Sequence, residues 1–256
     1  MPQIAAKSFE NALLAAMSAK DLKLLRPHLR PIEFPVRHEF FAADKPIKTV
    51  YFLESGIASL VAKAPSGVAL EVGLIGRDGM VGIPVVLGEK RSPYESYAQV
   101  AGHGYAMPAQ ALWKAMERSD TLTDLMLKYV YAFLIQVTHS ALAIGRFTIE
   151  QRLARWLLMA QDRVKADDIP LTHEFLSMML GVRRAGVTEA MHVLEGRGAV
   201  RARPGRVTVR DRRKLEAIAG ACYGVPESEL AHVGLGDIRR KRVARPRKGA
   251  ASPRSK

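Results

Sequence analysis

The sequence predicts an α+β protein with a β-rich front, a long central helix and a C-terminal winged helix-turn-helix. Three observations predict it. Residues 32–107 break into short apolar runs separated by glycine-containing turns, the rhythm of a compact sheet structure. Residues 119–144 carry apolar side chains at sustained helical spacing. Residues 171–209 give, in order, a short apolar helix, a glycine turn, a second helix and a basic hairpin.

The opening, residues 8–30, reads as helical. Leu13, Leu14, Met17, Leu22, Leu24 and Leu25 recur at helical spacing, Ser18 is a cap candidate, and Pro27, Pro31 and Pro35 end the pattern. The sheet region follows. Its apolar runs include 50–53, 57–61 and 68–75, its turns Glu54-Ser55-Gly56, Pro65-Ser66-Gly67 and Gly76-Arg77-Asp78-Gly79. A β-sandwich or β-barrel is expected. A short helix opens near Pro108. The long helix then sets Leu122, Met126, Tyr129, Phe133, Gln136, Ser140 and Ala143 in a 4-3 progression, widened by Leu125, Val130, Val137 and Leu142. So apolar a helix needs covering. A seam with a second copy through Leu122, Met126, Tyr129, Phe133, Val137 and Ser140 would cover it; packing on its own β-domain is the alternative. Gly145-Arg146 reads as a hinge. Residues 149–164 form another helix with Leu153, Trp156, Leu157 and Ala160 inward, broken by Asp167-Asp168 and Pro170. The expected division is 1–118, 119–145 and 146–222, with a disordered basic tail at 237–256.

Charge is distributed unevenly. Residues 1–145 hold 15 basic and 13 acidic side chains, and residues 146–256 hold 24 and 12. Within the second part, residues 183–214 hold 10 basic and 3 acidic side chains, and residues 239–256 hold 9 basic and none acidic. The back of the chain is built for a polyanion. Double-stranded DNA is the leading candidate; a membrane is not expected, because the basic tail has no apolar face. No uninterrupted apolar run approaches the ~20 residues of a membrane helix, and the N-terminus has no signal-peptide run, so a cytoplasmic protein is expected. The single cysteine, Cys222, excludes a disulfide framework and a cysteine-held iron–sulfur cluster. Haem ligation by His28, His38, His103 or His139 competes with an ordinary structural role for each. No metal site and no cofactor are expected.

In the helix-turn-helix, Thr172 can cap the first helix, although Phe175 stands where a capping box wants Glu or Gln. Gly181 sits at the turn and Val182 plugs the angle. The second helix, from about residue 184 to 196, turns Val187, Met191 and Leu194 inward and Arg184, Ala185, Thr188, Glu189 and His192 outward. Such a helix enters the major groove. Arg184 can donate two hydrogen bonds to guanine O6 and N7, and Glu189 can accept from cytosine N4. Thr188 suits a base or a phosphate, and Arg183 a phosphate. The hairpin around Pro204-Gly205 carries Arg201, Arg203 and Arg206, which suit phosphate contacts that set register without reading sequence. Thr172 and His192 complete the expected DNA-contacting set.

The ordered combination resembles the Crp/Fnr superfamily of bacterial transcription regulators over residues 12–222. The resemblance rests on the 50–56 segment Val-Tyr-Phe-Leu-Glu-Ser-Gly, the 76–82 segment Gly-Arg-Asp-Gly-Met-Val-Gly, the long helix and the 180–187 segment Leu-Gly-Val-Arg-Arg-Ala-Gly-Val. It implies a cyclic-nucleotide-binding-like β-roll, a dimerisation helix and a winged DNA-binding domain. It also implies a homodimer on a near-palindromic site, with RNA polymerase and an unidentified small-molecule effector as further partners. Arg184 matches the arginine of the cyclic-AMP type. Ala185 and Glu189 stand where that type has glutamate and arginine, so the base sequence read is expected to differ. Cyclic-AMP binders carry a Gly-Glu pair followed by Arg-Ser. Here residues 82–88 lack the glutamate, and Arg91-Ser92 stands in a shifted frame, so Arg91 and Ser92 are the effector-site candidates but a cyclic nucleotide is not expected. Two other functions compete with a regulator: a non-specific architectural DNA binder, and an enzyme with a nucleic-acid-docking module. No nucleophile elbow, phosphate loop or zinc-protease motif supports the enzyme.

Overall fold

In the computed structural model, residues 9–171 and 173–236 are described. Thr172, with its expected cap, and the tail from residue 237 lie outside them. The chain opens with α1 (Ala12–Ala16) and α2 (Ala19–Leu25). Ser18 caps α2 by accepting from the Asp21 amide at 3.1 Å. Asp21 is itself buried and takes hydroxyl donors from Ser18 at 2.7 Å and Ser119 at 2.5 Å. It thereby ties the opening helices to the start of the long one.

Eight strands follow: β1 (Arg30–Phe34), β2 (Glu39–Phe41), β3 (Thr49–Leu53), β4 (Ile57–Lys63), β5 (Ala69–Ile75), β6 (Met80–Val81), β7 (Glu95–Val100) and β8 (Gly102–Pro108), with α3 (Ile83–Val86) between β6 and β7. They form two four-stranded antiparallel sheets, ordered β1-β8-β3-β6 and β2-β7-β4-β5. Alternation along β3 buries Val50, Phe52 and Leu53, and these join Phe34, Phe40, Leu60, Ala98 and Met107 in one core. The turn signals of the sequence fall at the strand ends.

Next come α4 (Ala109–Met116) and the 27-residue α5 (Asp120–Arg146), capped by Ser119. The expected hinge at Gly145-Arg146 is a continuation of α5 instead; the chain turns extended only at Phe147. Gly allows the helix where nothing else crowds it, and the capping box of Thr148 and Gln151 then starts α6 (Ile149–Val164) cleanly. After α6 the structure departs from the expected simple break. Asp168–Pro170 is a strand, β9, which pairs with the wing. Its Asp168 carboxylate accepts from Thr208 at 2.5 Å.

The remainder is α7 (His173–Leu180), α8 (Arg184–Gly196), β10 (Val200–Arg203), β11 (Arg206–Val209), α9 (Arg212–Ala219) and α10 (Val225–His232). Residues 223–236 carry no local signal that predicts an element. In the structure α10 returns to pack on α5, and Leu230 and Leu235 join the core of the front domain. The chain therefore runs from front to back and returns to the front.

Candidate nucleic-acid interface

The helix-turn-helix is positioned by a second core. Leu176, Met179 and Leu180 of α7, Val187, Met191 and Leu194 of α8, and Leu153 and Leu157 of α6 share it with Val200, Val207 and Val209 of the hairpin. Gly181 makes the turn at φ +61°, a left-handed conformation that suits glycine. The Val182 amide then donates to the Ser177 carbonyl at 3.0 Å, closing the end of α7.

The arginines of the unit lie outside this core. Arg183 is the N-cap residue of α8 and is exposed. Arg184, Ala185, Glu189 and His192 are exposed along one side of α8, with Thr188 half-buried between them. Thr188 donates to the Arg184 carbonyl at 3.1 Å. Arg184 lies 3.5 Å from Glu174 of α7, both about two-thirds exposed. Such an exposed pair is worth little, ~0–1 kcal/mol, so it steers the guanidinium without holding it. In the hairpin, alternation buries Val200, Val207 and Val209 and leaves Arg201, Arg203 and Arg206 exposed. Arg203 and Arg206 pair across the strands, and Arg206 also reaches Asp168 at 3.4 Å. Arg210, Arg213 and Lys214 are exposed just beyond. The charge count of 183–214 already contained them, but only the structure puts the start of α9 beside the wing.

The long helix corrects the expected seam. Leu122, Met126, Tyr129 and Phe133 are buried in their own front domain. The Tyr129 hydroxyl donates to the Met80 carbonyl at 3.0 Å. Phe133 lies so close to Gly73 of β5 that a Cβ there would come within 2.5 Å of its ring. Val137 packs on the same core, and Ser140 accepts from Arg155 of α6 at 3.3 Å. Leu122, Met126, Tyr129 and Phe133 are thus covered by their own β-domain, with Val137 half-buried on the same core and Ser140 turned to α6. A different stripe is left uncovered: Leu127, Tyr131 and Leu134 are 47%, 49% and 55% exposed, and Thr138, Ala141 and Gly145 continue the 4-3 spacing in the open. By length and composition alone α5 could also cross a membrane, with a mean hydropathy of 1.2 in its most apolar window. Lys128, Gln136 and His139 interrupt its apolar residues, so the sequence shows no unbroken run.

The effector candidates do not converge. Arg91 is 69% exposed and pairs outward with Asp44 at 3.0 Å, whereas Ser92 is buried and accepts from the Tyr94 amide at 3.2 Å. Where a cyclic-nucleotide site would need a ribose-binding carboxylate, α3 supplies Ile83, Pro84, Val85 and Val86, all buried. The Val85 carbonyl is taken by the Trp113 indole N–H. These residues do not fit a cyclic nucleotide held through Arg91. Among the described residues no group of three or more His, Cys, Asp or Glu side chains could hold a metal ion.

Two family models match the chain: a cyclic nucleotide-binding domain over residues 31–119 and a Crp-like helix-turn-helix domain over residues 151–218. Together they span more than half of it. The chain belongs to the Crp/Fnr superfamily. Solved structures agree in fold. A Crp/Fnr-family protein from Eubacterium rectale has a TM-score of 0.64 at 16% identity, over 81% of this chain and 97% of the other. FixK2 from Bradyrhizobium japonicum has 0.62 at 16%, over 75% and 98%. The c-di-GMP responsive regulator CLP from Xanthomonas campestris has 0.61 at 17%, over 75% and 99%. No curated protein sequence is significantly similar to the chain. The Crp/Fnr protein described here is thus a transcription regulator by family, with a domain of the cyclic nucleotide-binding type in front and a DNA-binding helix-turn-helix behind.

Proposed function

We propose that the protein is a homodimeric, sequence-specific DNA-binding regulator without enzymatic activity, acting in the cytoplasm. The observation that carries this is the exposed arginine at the first turn of α8 beside a wing of three exposed arginines. Arg184 reads a guanine, Glu189 a cytosine, and Arg183, Thr188, His192, Arg201, Arg203 and Arg206 contact the backbone or neighbouring bases. Thr172 joins this DNA-contacting set. Two copies join along the Leu127–Tyr131–Leu134 stripe of α5, where apolar side chains at 4-3 spacing suit knobs-into-holes packing. The two recognition helices then enter major grooves about 34–36 Å apart on a near-palindrome.

Residues 1–118 sense, residues 119–145 join the copies, and residues 146–222 bind DNA. Residues 223–236 return to the sensor, and RNA polymerase is the partner through which binding acts on transcription. The effector is not a cyclic nucleotide, because α3 offers apolar side chains and Arg91 faces solvent. The test is selection of duplexes from a random pool, with and without cyclic AMP and cyclic GMP. A two-fold symmetric motif, unchanged by either nucleotide, is expected. Uniform recovery of all sequences would make the protein an architectural binder instead.

A further inference from the structure

Among the described residues two arginines are buried, and only one has a carboxylate within ion-pair distance. Arg163 of α6 is 1% exposed at its side chain and meets Asp78 at 2.6 Å, as a buried charge requires. Arg155, two turns earlier on α6, is 7% exposed. It makes one hydrogen bond, a 3.3 Å contact to the Ser140 hydroxyl oxygen, and no carboxylate of the described residues lies within ion-pair distance of it. A guanidinium has five N–H donors, so most of those of Arg155 are left for water or a ligand in the space it faces. The Ser140 proton is already donated to the Gln136 carbonyl at 2.9 Å.

Arg155 lines a cavity of about 30 Å³ where α5, α6, β5 and α7 meet, enough for a water or a small ion. Arg152 lines the same cavity. One of its Nη atoms donates to the Leu180 carbonyl at the end of α7. The remaining walls are largely apolar, including Leu74, Ala143 and Met179. One carboxyl group, Glu71, also lines it, but its oxygens are engaged by the Trp156 indole N–H at 2.8 Å and by Ser59 at 2.5 Å.

We propose that the cavity between Arg152 and Arg155 is a binding site for a small oxyanion, a phosphate or a carboxylate head group, at the junction of the sensor and DNA-binding domains. The bound anion supplies the direct ion-pair partner that Arg155 lacks, since Glu227 and Glu71 act on it only from beyond ion-pair distance. It also bridges α6 to the end of α7, through the arginine that holds Leu180, and so firms the seat of the helix-turn-helix on the sensor. This goes beyond the regulator reading: anion binding is measured on the protein without DNA, so it stands or falls separately from sequence recognition.

The test titrates inorganic phosphate and, separately, acetate into the full-length protein at constant ionic strength. Thermal midpoint and tryptophan fluorescence are followed, since Trp156 lines the cavity. A saturable rise in midpoint with a fluorescence change is expected for at least one anion, and the stronger of the two identifies the head group. Arg155→Gln should remove both responses while leaving a folded protein. If that variant does not fold, Arg155→Lys keeps the charge but loses the fork, and should weaken binding roughly tenfold or more. A response that does not saturate, or one equal in wild type and variant, would mean that water alone fills the cavity and would overturn the proposal.

Discussion

Arg184 has its aliphatic stem on α8 and its head near Glu174, so moving from that carboxylate to a guanine edge exchanges one weak exposed contact for a bidentate pair. Arg184→Ala is therefore expected to cost about 1–3 kcal/mol on the preferred site and to relax one base position. Quantitative binding to single-base variants of the site checks this; equal weakening on every duplex would assign Arg184 to phosphate. Glu71 makes a different argument. It is fully buried beneath Trp156, and Ser59 Oγ stands 2.5 Å from it and 2.6 Å from Gln99 Oε1. A hydroxyl has one proton to give, so a protonated Glu71 donating to Ser59, which donates to Gln99, satisfies both contacts. Burial pushes the Glu71 carboxyl up to about 7, against the hydroxyl, the indole and the more distant Arg155 and Arg163. The folded state then holds a proton that the unfolded chain releases near pH 4.5. Stability from this group is full below pH 4.5 and declines until pH 7, where it levels off. Glu71→Gln stays neutral, so its melting temperature should gain on wild type between pH 5 and pH 8. A constant difference across that range would refute a neutral Glu71.

At the scale of the element, α5 carries two apolar faces with different partners. Phe133 fills the space left by Gly73, so Phe133→Glu places a charge in the front core and should unfold the domain. Leu134, one residue on, is open. Leu134→Glu should leave the circular dichroism and melting of the monomer intact while light scattering reports half the mass. A dimer surviving Leu134→Glu would move the seam off this stripe. The wing is simpler: each phosphate contact contributes about 0.9 to the slope of log affinity against log salt. Replacing Arg201, Arg203 and Arg206 by alanine should flatten that slope, as measured by titration at several salt concentrations; an unchanged slope would place the wing off the DNA.

Across the whole molecule, the front domain and the DNA-binding domain are held by buried charge as well as apolar contact. Asp78 lies in the turn before β6 and Arg163 near the end of α6. Beside them Asp162 takes Arg212 at 2.8 Å and the Tyr223 hydroxyl at 2.5 Å. Glu227 of α10 is buried against the same group, and burial raises its pKa while Arg163 and Arg155 oppose the rise. Asp78→Asn would strand Arg163 without its counter-charge, at a cost of about 3–5 kcal/mol. Urea unfolding checks this. Replacing both partners by apolar residues should recover much of the loss; an equal loss in single and double variants would deny that the stranded charge is the cause.

The sequence by itself determined the parts and their order. Caps at Ser18, Ser119 and Thr148, the glycine of the turn at 181 and the alternation of the wing are local signals, complete within a few residues, and each lies where local chemistry put it. So is the clustering of arginine at the start of α8 and in the wing. What only the tertiary structure decided is how surfaces are shared. Period alone gives α5 an apolar surface too wide for one partner, and nothing local says that Phe133 turns to Gly73 while Leu134 turns to solvent. Strand β9 was hidden because Asp168 and Pro170 have turn chemistry, and only pairing with β11 makes them a strand. Helix α10 was hidden because its burial depends on a surface about a hundred residues earlier in the chain. Arg155 reads as one more basic residue in the sequence, and only folding buries it beside Arg152 on one cavity, out of ion-pair reach of any carboxylate among the described residues.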